Sequence, residues 1–162
     1  MGMTAGQRRV VLGHPAGWIA IGFGSGLSPV APGTAGSLAA LLPWFALAAL
    51  PVTYYAAALI LAFTLGVWAC AWVVRNLSVA DPGYAVWDEF VGLWIALTPL
   101  VGLPVSWPWI AAGFILFRIF DIWKPWPVSW ADRNVGGGFG VMLDDVVAGL
   151  YAAIVLEVML RW

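Results

Sequence analysis

The sequence predicts an all-α fold: an integral membrane helical bundle with about four to five membrane-embedded helices and an amphipathic N-terminal segment. Three observations carry that expectation. Of 162 residues, 63% are hydrophobic and only 9% charged, against roughly 25% charged in an ordinary soluble domain. That is too little polar surface to cover a water-facing exterior. Apolar runs approaching bilayer length recur along the chain. Finally, the charges are concentrated: seven of the fifteen Asp, Glu, Lys and Arg residues fall between 118 and 145. Ionisable groups survive in so apolar a chain where water reaches them or where they serve a function.

Residues 1–15 read as a mobile polar arm ahead of a single membrane-embedded domain spanning 16–162. Residues 16–28 suit a short helix at the membrane surface. Gly22, Gly24, Gly26 and Pro29 break this run, so it lacks the continuous apolar stretch of a cleaved signal peptide. Alternating glycines and two prolines keep 22–37 out of regular helix. Backbone amides freed there must be buried in protein or line a polar cavity. The segment reads either as a phosphate-cradling loop, with Ser25 and Thr34 as its hydroxyls, or as a tight turn whose glycines permit close packing. Thr34 and Ser37 are the expected N-caps of the apolar run 37–50, which Pro43 interrupts.

Residues 52–74 form a clear span. A polar loop follows Arg75 and closes on the turn signal Asp81-Pro82-Gly83. The third long apolar element, 84–103, carries Asp88 and Glu89 in its first turns and ends at Pro99 and Pro104. The fourth, 107–123, stops before Pro125. The fifth, 139–160, again carries carboxylates, Asp144 and Asp145, in its first turns.

With the N-terminus in the cytoplasm, 75–83 and 124–138 face the same side, and the uncharged connections 50–52 and 103–107 face the other. Six of the seven basic residues then lie at the cytoplasmic face, with Arg161 alone opposite, in accord with the positive-inside rule. Both acidic pairs, segment 118–138 and the Gly/Pro loop reach that face together. One polar site is expected there.

A net charge of −1 and the lack of any basic stripe exclude a nucleic-acid partner. The single cysteine, Cys70, has no internal disulfide partner, and its spacing to Arg75 is one residue short of the thiol-phosphatase loop. His14, the only histidine, lies in the arm and is no general base. Trp107, Trp109, Trp123, Trp126 and Trp130 read as an interfacial aromatic belt.

The acids carry the chemistry. Asp88-Glu89 and Asp144-Asp145 start separate apolar helices, and Asp121 lies on a third. Neighbouring helical residues point about 100° apart, so one of each pair can face a shared interior. A lone pair reads as an N-terminal cap favoured by the helix dipole. Five carboxylates on one face call for a cation, and oxygen donors without Cys or His suit Mg²⁺ or Mn²⁺. Arg118, Lys124 and Arg133 interleave with these acids. They are read as phosphate ligands rather than local ion pairs alone. Gly136-Gly137-Gly138-Phe139-Gly140 reads as a flexible lead into the last helix.

Gly22-Phe-Gly-Ser-Gly-Leu-Ser-Pro-Val-Ala-Pro-Gly-Thr34, Val86-Trp-Asp-Glu-Phe-Val-Gly92, Phe117-Arg-Ile-Phe-Asp-Ile-Trp-Lys-Pro-Trp-Pro127 and Val141-Met-Leu-Asp-Asp145 resemble the phosphatidylglycerophosphatase A family, over about 18–155. The resemblance implies a Mg²⁺-dependent, multi-pass enzyme of the bacterial inner membrane. Its substrate is then the membrane phospholipid phosphatidylglycerophosphate, and its products phosphatidylglycerol and inorganic phosphate. One departure stands out: Gly136 follows Asp132-Arg-Asn-Val where the resemblance leads one to expect histidine. That argues against an indispensable histidine in this loop.

The expected mechanism is metal-assisted hydrolysis of a phosphomonoester. Asp88, Glu89, Asp144 and Asp145 hold Mg²⁺. Arg118, Lys124 and Arg133, with Ser25 and Thr34, bind the phosphate. Asp121 is a further ligand or the general base, and an aspartyl-phosphate route stays open. The rival expectation is a small transporter or channel using the acids as an ion pathway. A nucleotide-dependent headgroup transferase is disfavoured by the absence of a D-G-x2-A-R motif.

Overall fold

In a computed structural model describing residues 3–79 and 82–162, every regular element is helical. The described residues form α1 (Ala5–Leu12), α2 (Pro15–Ala20), α3 (Pro32–Ala48), α4 (Val52–Leu77), α5 (Trp87–Ala96), α6 (Trp107–Trp123), α7 (Val128–Asn134) and α8 (Gly137–Arg161). Two 3-10 segments, Gly22–Leu27 and Thr98–Leu100, link α2 to α3 and follow α5. Asp81 of the expected turn signal lies outside the described residues.

Two helices are long and apolar enough to cross a membrane, α4 with 26 residues and α8 with 25. Only 28% and 39% of their most apolar windows are buried within the protein, so these are not core helices of a water-soluble domain. Leu42, Ile60, Leu61, Ile122 and Ile154 stand exposed around the bundle. Such a surface points to membrane association. The other expected spans are shorter. α3 and α6 have 17 residues each, and α5 only ten, about 15 Å of helix. Pro99 enforces that early stop, sitting in the 3-10 turn that follows α5.

Several local expectations shift. Residues 5–12, expected within a polar arm, form α1, with Thr4 and Gln7 making a reciprocal capping box and Val11 fully buried. Helix α3 begins at Pro32, ahead of the anticipated caps Thr34 and Ser37. Proline at the first helical position is already set to a helical φ. Ser37 therefore lies inside the helix, and its hydroxyl donates back to the Gly33 carbonyl. The glycine run before α8 is its first turn rather than a flexible lead. A Cβ on Gly138 would collide with the α4 backbone at Val67 and Ala71. Close approach explains the glycine there.

Helix α5 is the axis of the bundle. Trp87, Phe90, Val91, Gly92, Leu93, Trp94 and Ala96 are all buried, with α8, α3, α4 and α6 packed around them. The Trp87 indole N–H donates to Ala62 O of α4 at 2.9 Å, and that of Trp94 to Ala40 O of α3 at 2.8 Å. Against α8 the packing is backbone to backbone. A Cβ on Gly92 would lie 2.6 Å from the Phe117 ring and 2.9 Å from the Asp145 carbonyl. A Cβ on Gly149 would collide with the Gly92 carbonyl.

Gly149→Ala therefore forces α5 and α8 apart. The expected cost is about 1–3 kcal/mol, as for an overpacked core, with a lower Tm in detergent and reduced activity. An unchanged melting curve would refute this close approach.

Candidate functional site

The α5–α8 crossing brings the two acidic pairs together. Asp88 and Glu89 occupy the first turn of α5, where the dipole favours negative charge, and Asp88 Oδ1 accepts the Glu89 N–H at 3.0 Å. Asp144 and Asp145 are not terminal. They lie seven and eight residues into α8, about 10 Å from its start, beyond the reach of helix capping. Both are buried. Burying carboxylates without capping them is costly unless something else compensates.

One cavity of about 180 Å³ collects Asp88, Glu89, Asp121, Lys124, Asp132, Asp144 and Asp145 in its wall, with the Gly136–Gly137 backbone. Within it the acids divide into two sets. Asp88, Glu89 and Asp145 each offer an oxygen within 4.8 Å of the others. Glu89 Oε2 and Asp145 Oδ2 are buried and accept no hydrogen bond from the described residues. Asp144 is held by Lys124 at 2.9 Å, and the same ammonium contacts Asp132. Burial alone would lower the lysine pKa; the carboxylates outweigh it and hold the group above its ordinary value. Its charge thus stabilises the fold fully below pH 10.5, and that contribution fades only as pH climbs past its raised folded pKa.

Arg118 closes the opposite side. One guanidinium nitrogen meets Asp121 at 2.7 Å and donates to Ser37 Oγ at 3.3 Å, while Nε is buried without a partner among the described residues. Gly33 is where the Gly/Pro segment reaches the site. A Cβ there would collide with Glu89 Oε1 and lie 3.3 Å from the arginine.

Other residues fall elsewhere. Arg133 is exposed and makes no ion pair among the described residues. The Ser25 hydroxyl donates to Gly22 O at 2.9 Å, a bond within its own turn, and Ser25 lines an apolar groove with Trp87 and Phe90. Thr34 is half-buried and does not line the acidic cavity. His14 caps α2 through Nδ1 and stacks on Trp72 with ring centroids 4.2 Å apart. Asp132 and the Gly33 backbone also contribute to the site. Asp132 lay within the charged island, and its spacing of eight from Lys124 shows no partnership until α7 folds back.

Three carboxylate donors, Asp145 buried and Asp88 and Glu89 half-buried, flanked by a lysine and an arginine form a site suited to phosphoester hydrolysis, where negative charge must be gathered and neutralised. The phosphatidylglycerophosphatase A family model matches residues 18–160. The chain is 48% identical over 151 residues to phosphatidylglycerophosphatase A of Escherichia coli, covering 93% of this chain and 86% of that protein. It is 44% identical over 156 residues to the Haemophilus influenzae protein of the same name, covering 96% and 94%. A Bacteroides thetaiotaomicron protein provisionally named phosphatidylinositol-3-phosphatase is 48% identical over 152 residues, covering 89% and 92%. No solved structure matches. The chain belongs to the phosphatidylglycerophosphatase A family.

Lys124→Met leaves Asp144 buried without its cation. It should cost about 1–3 kcal/mol, the price of an unsatisfied buried group. Adding Asp144→Asn should recover part of the loss, a coupling that a double-mutant thermal-melt cycle measures. Strictly additive effects would disprove the pairing.

Proposed function

We propose that the protein hydrolyses the terminal phosphomonoester of phosphatidylglycerophosphate, releasing phosphatidylglycerol and inorganic phosphate, at a site where Asp88, Glu89 and Asp145 hold Mg²⁺. The observation that carries the reading is the convergence of these three carboxylates, with two buried oxygens left unpartnered. An all-oxygen set without nitrogen or sulfur fits a hard dication. Mutual repulsion among these acids is relieved by such an ion, since Arg118 is already paired with Asp121 and Lys124 with Asp132 and Asp144. Once bound, the ion supplies Lewis acidity toward a phosphoryl oxygen and toward water.

The chain's own groups supply the rest. Lys124, in the cavity wall, presents its ammonium to the phosphoryl oxygens, and Asp132 and Asp144 fix its position. Asp144 is thus a positioning residue in this scheme. Arg118 orients Asp121 through their ion pair, so Asp121 can accept the proton of the attacking water. The rest of the guanidinium, held in place because Nη1 meets both Asp121 and Ser37, offers further counter-charge near Glu89.

The membrane setting follows the same logic. Gly138 at the start of α8 abuts Ala71 near the end of α4, so the two long helices run antiparallel. The acidic cavity lies toward the α4 end that carries Arg75. By the positive-inside rule that end faces the cytoplasm. We place the protein in the bacterial inner membrane with the site opening to the cytoplasm, and with α3, α5 and α6 embedded beside the two long helices.

The Bacteroides relative's name favours a second substrate, a phosphoinositide bearing a 3-phosphate. Phosphate release from purified protein supplied with each lipid separates the two. Phosphatidylglycerophosphate should be the better substrate, with EDTA abolishing turnover and Mg²⁺ restoring it. Asp88→Asn, Glu89→Gln and Asp145→Asn should each lower turnover about 10²-fold or more without loss of membrane insertion. Wild-type turnover in any of the three, or indifference to EDTA, would sink the metal-site assignment.

A further inference from the structure

We infer that a second pocket beside the acidic cavity, formed by Arg8, Tyr84 and the 26–29 loop, binds the phosphodiester of the lipid headgroup. The inference rests on the reaction proposed above and deepens it, since it assigns a place to the part of the substrate that is not hydrolysed.

The pocket has a volume of about 300 Å³ and shares Gly83 with the wall of the acidic cavity. Its occupant therefore lies next to whatever fills that cavity. Among the described residues, Arg8 is the only charged side chain in its wall and makes no ion pair. Tyr84 is 7% exposed, yet its hydroxyl is buried with no hydrogen-bond partner among the described residues. Burial raises the phenol pKa, so the group remains a donor. Buried hydroxyls are rarely left unpaired. A ligand bearing only acceptors would satisfy both groups.

The headgroup of phosphatidylglycerophosphate joins a phosphomonoester to the diacylglycerol through glycerol and a phosphodiester. The diester is an anion with two non-bridging acceptor oxygens. The acidic cavity, in which six of the seven charged groups are carboxylates, would repel that anion, whereas the neighbouring pocket offers a cation and a phenol. The presenting elements are fixed. Helix α1, which carries Arg8, is held by its capping box and by the buried Val11, against whose carbonyl Gly17 packs too closely for any Cβ. Gly26 lies flush on the Tyr84 carbonyl, where a Cβ would collide.

The test is a kinetic comparison in mixed micelles between phosphatidylglycerophosphate and phosphatidic acid, a phosphomonoester with no diester. For Arg8→Gln and Tyr84→Phe, KM for phosphatidylglycerophosphate should rise about tenfold, the scale of one lost charged or buried hydrogen bond, with kcat within about twofold. KM for phosphatidic acid should change by about twofold or less, and Arg8→Lys should restore most of the lost affinity. An unchanged KM in both variants, or an equal rise for both lipids, would overturn the pocket's assignment. Absence of phosphate release from phosphatidylglycerophosphate by the wild-type protein would instead refute the reaction itself.

Discussion

The structure turns on one electrostatic constraint: carboxylates from two helices are forced together inside an apolar bundle. Gly92 and Gly149 let α5 and α8 meet backbone to backbone, and that contact fixes Asp145 beside Asp88 and Glu89. Like charges so placed repel strongly in a low-dielectric setting. The surrounding cations answer only part of this. Arg118 is committed to Asp121, and Lys124 to Asp132 and Asp144. The trio is left with buried oxygens that no described side chain partners, open to something brought from outside.

A ten-residue helix at the centre of an apolar bundle raises a second demand. Backbone groups at its ends must find partners where water is scarce. The end of α5 meets this with side chains from its neighbours. Both the Tyr55 phenol of α4 and the Thr98 hydroxyl donate to the Trp94 carbonyl. The α5 indoles in turn satisfy carbonyls of α3 and α4. Polar ties thus hold α5 at a fixed depth, and the acids at its N-terminus inherit that precision.

Much of this was legible in the sequence, and the rest was hidden for physical reasons. Hydropathy placed α4 and α6 well, because Pro51, Ser106 and Pro125 punctuate them. The acids and Arg118 stood out because charge is rare in this chain. Helix starts were misjudged where proline and glycine act through packing. Pro32 begins α3 ahead of the expected caps, and Gly137 and Gly138 continue α8 backward through a run that reads as loop. The division of the acids into a trio and a lysine-bound pair depends on how α7 returns Asp132 to Lys124, which no periodicity encodes. Ser25 and Thr34 illustrate the converse. Their hydroxyls suit phosphate, yet the segment approaches the site through the backbone at Gly33 instead.

The arrangement also weighs against an ion pathway. Conduction needs polar groups or water in sequence through the bundle. Beyond Asp88 and Glu89, the buried residues that follow along α5 are Phe90, Val91, Leu93 and Trp94. Beyond Asp145, α8 continues with Ala148, Gly149 and Ala152 on its buried side. These layers close the floor of the cavity with apolar side chains. A polar cavity backed by buried apolar layers favours chemistry in which a headgroup enters and loses its phosphate. The acyl chains never need to cross the bundle, since only the headgroup must reach the acids.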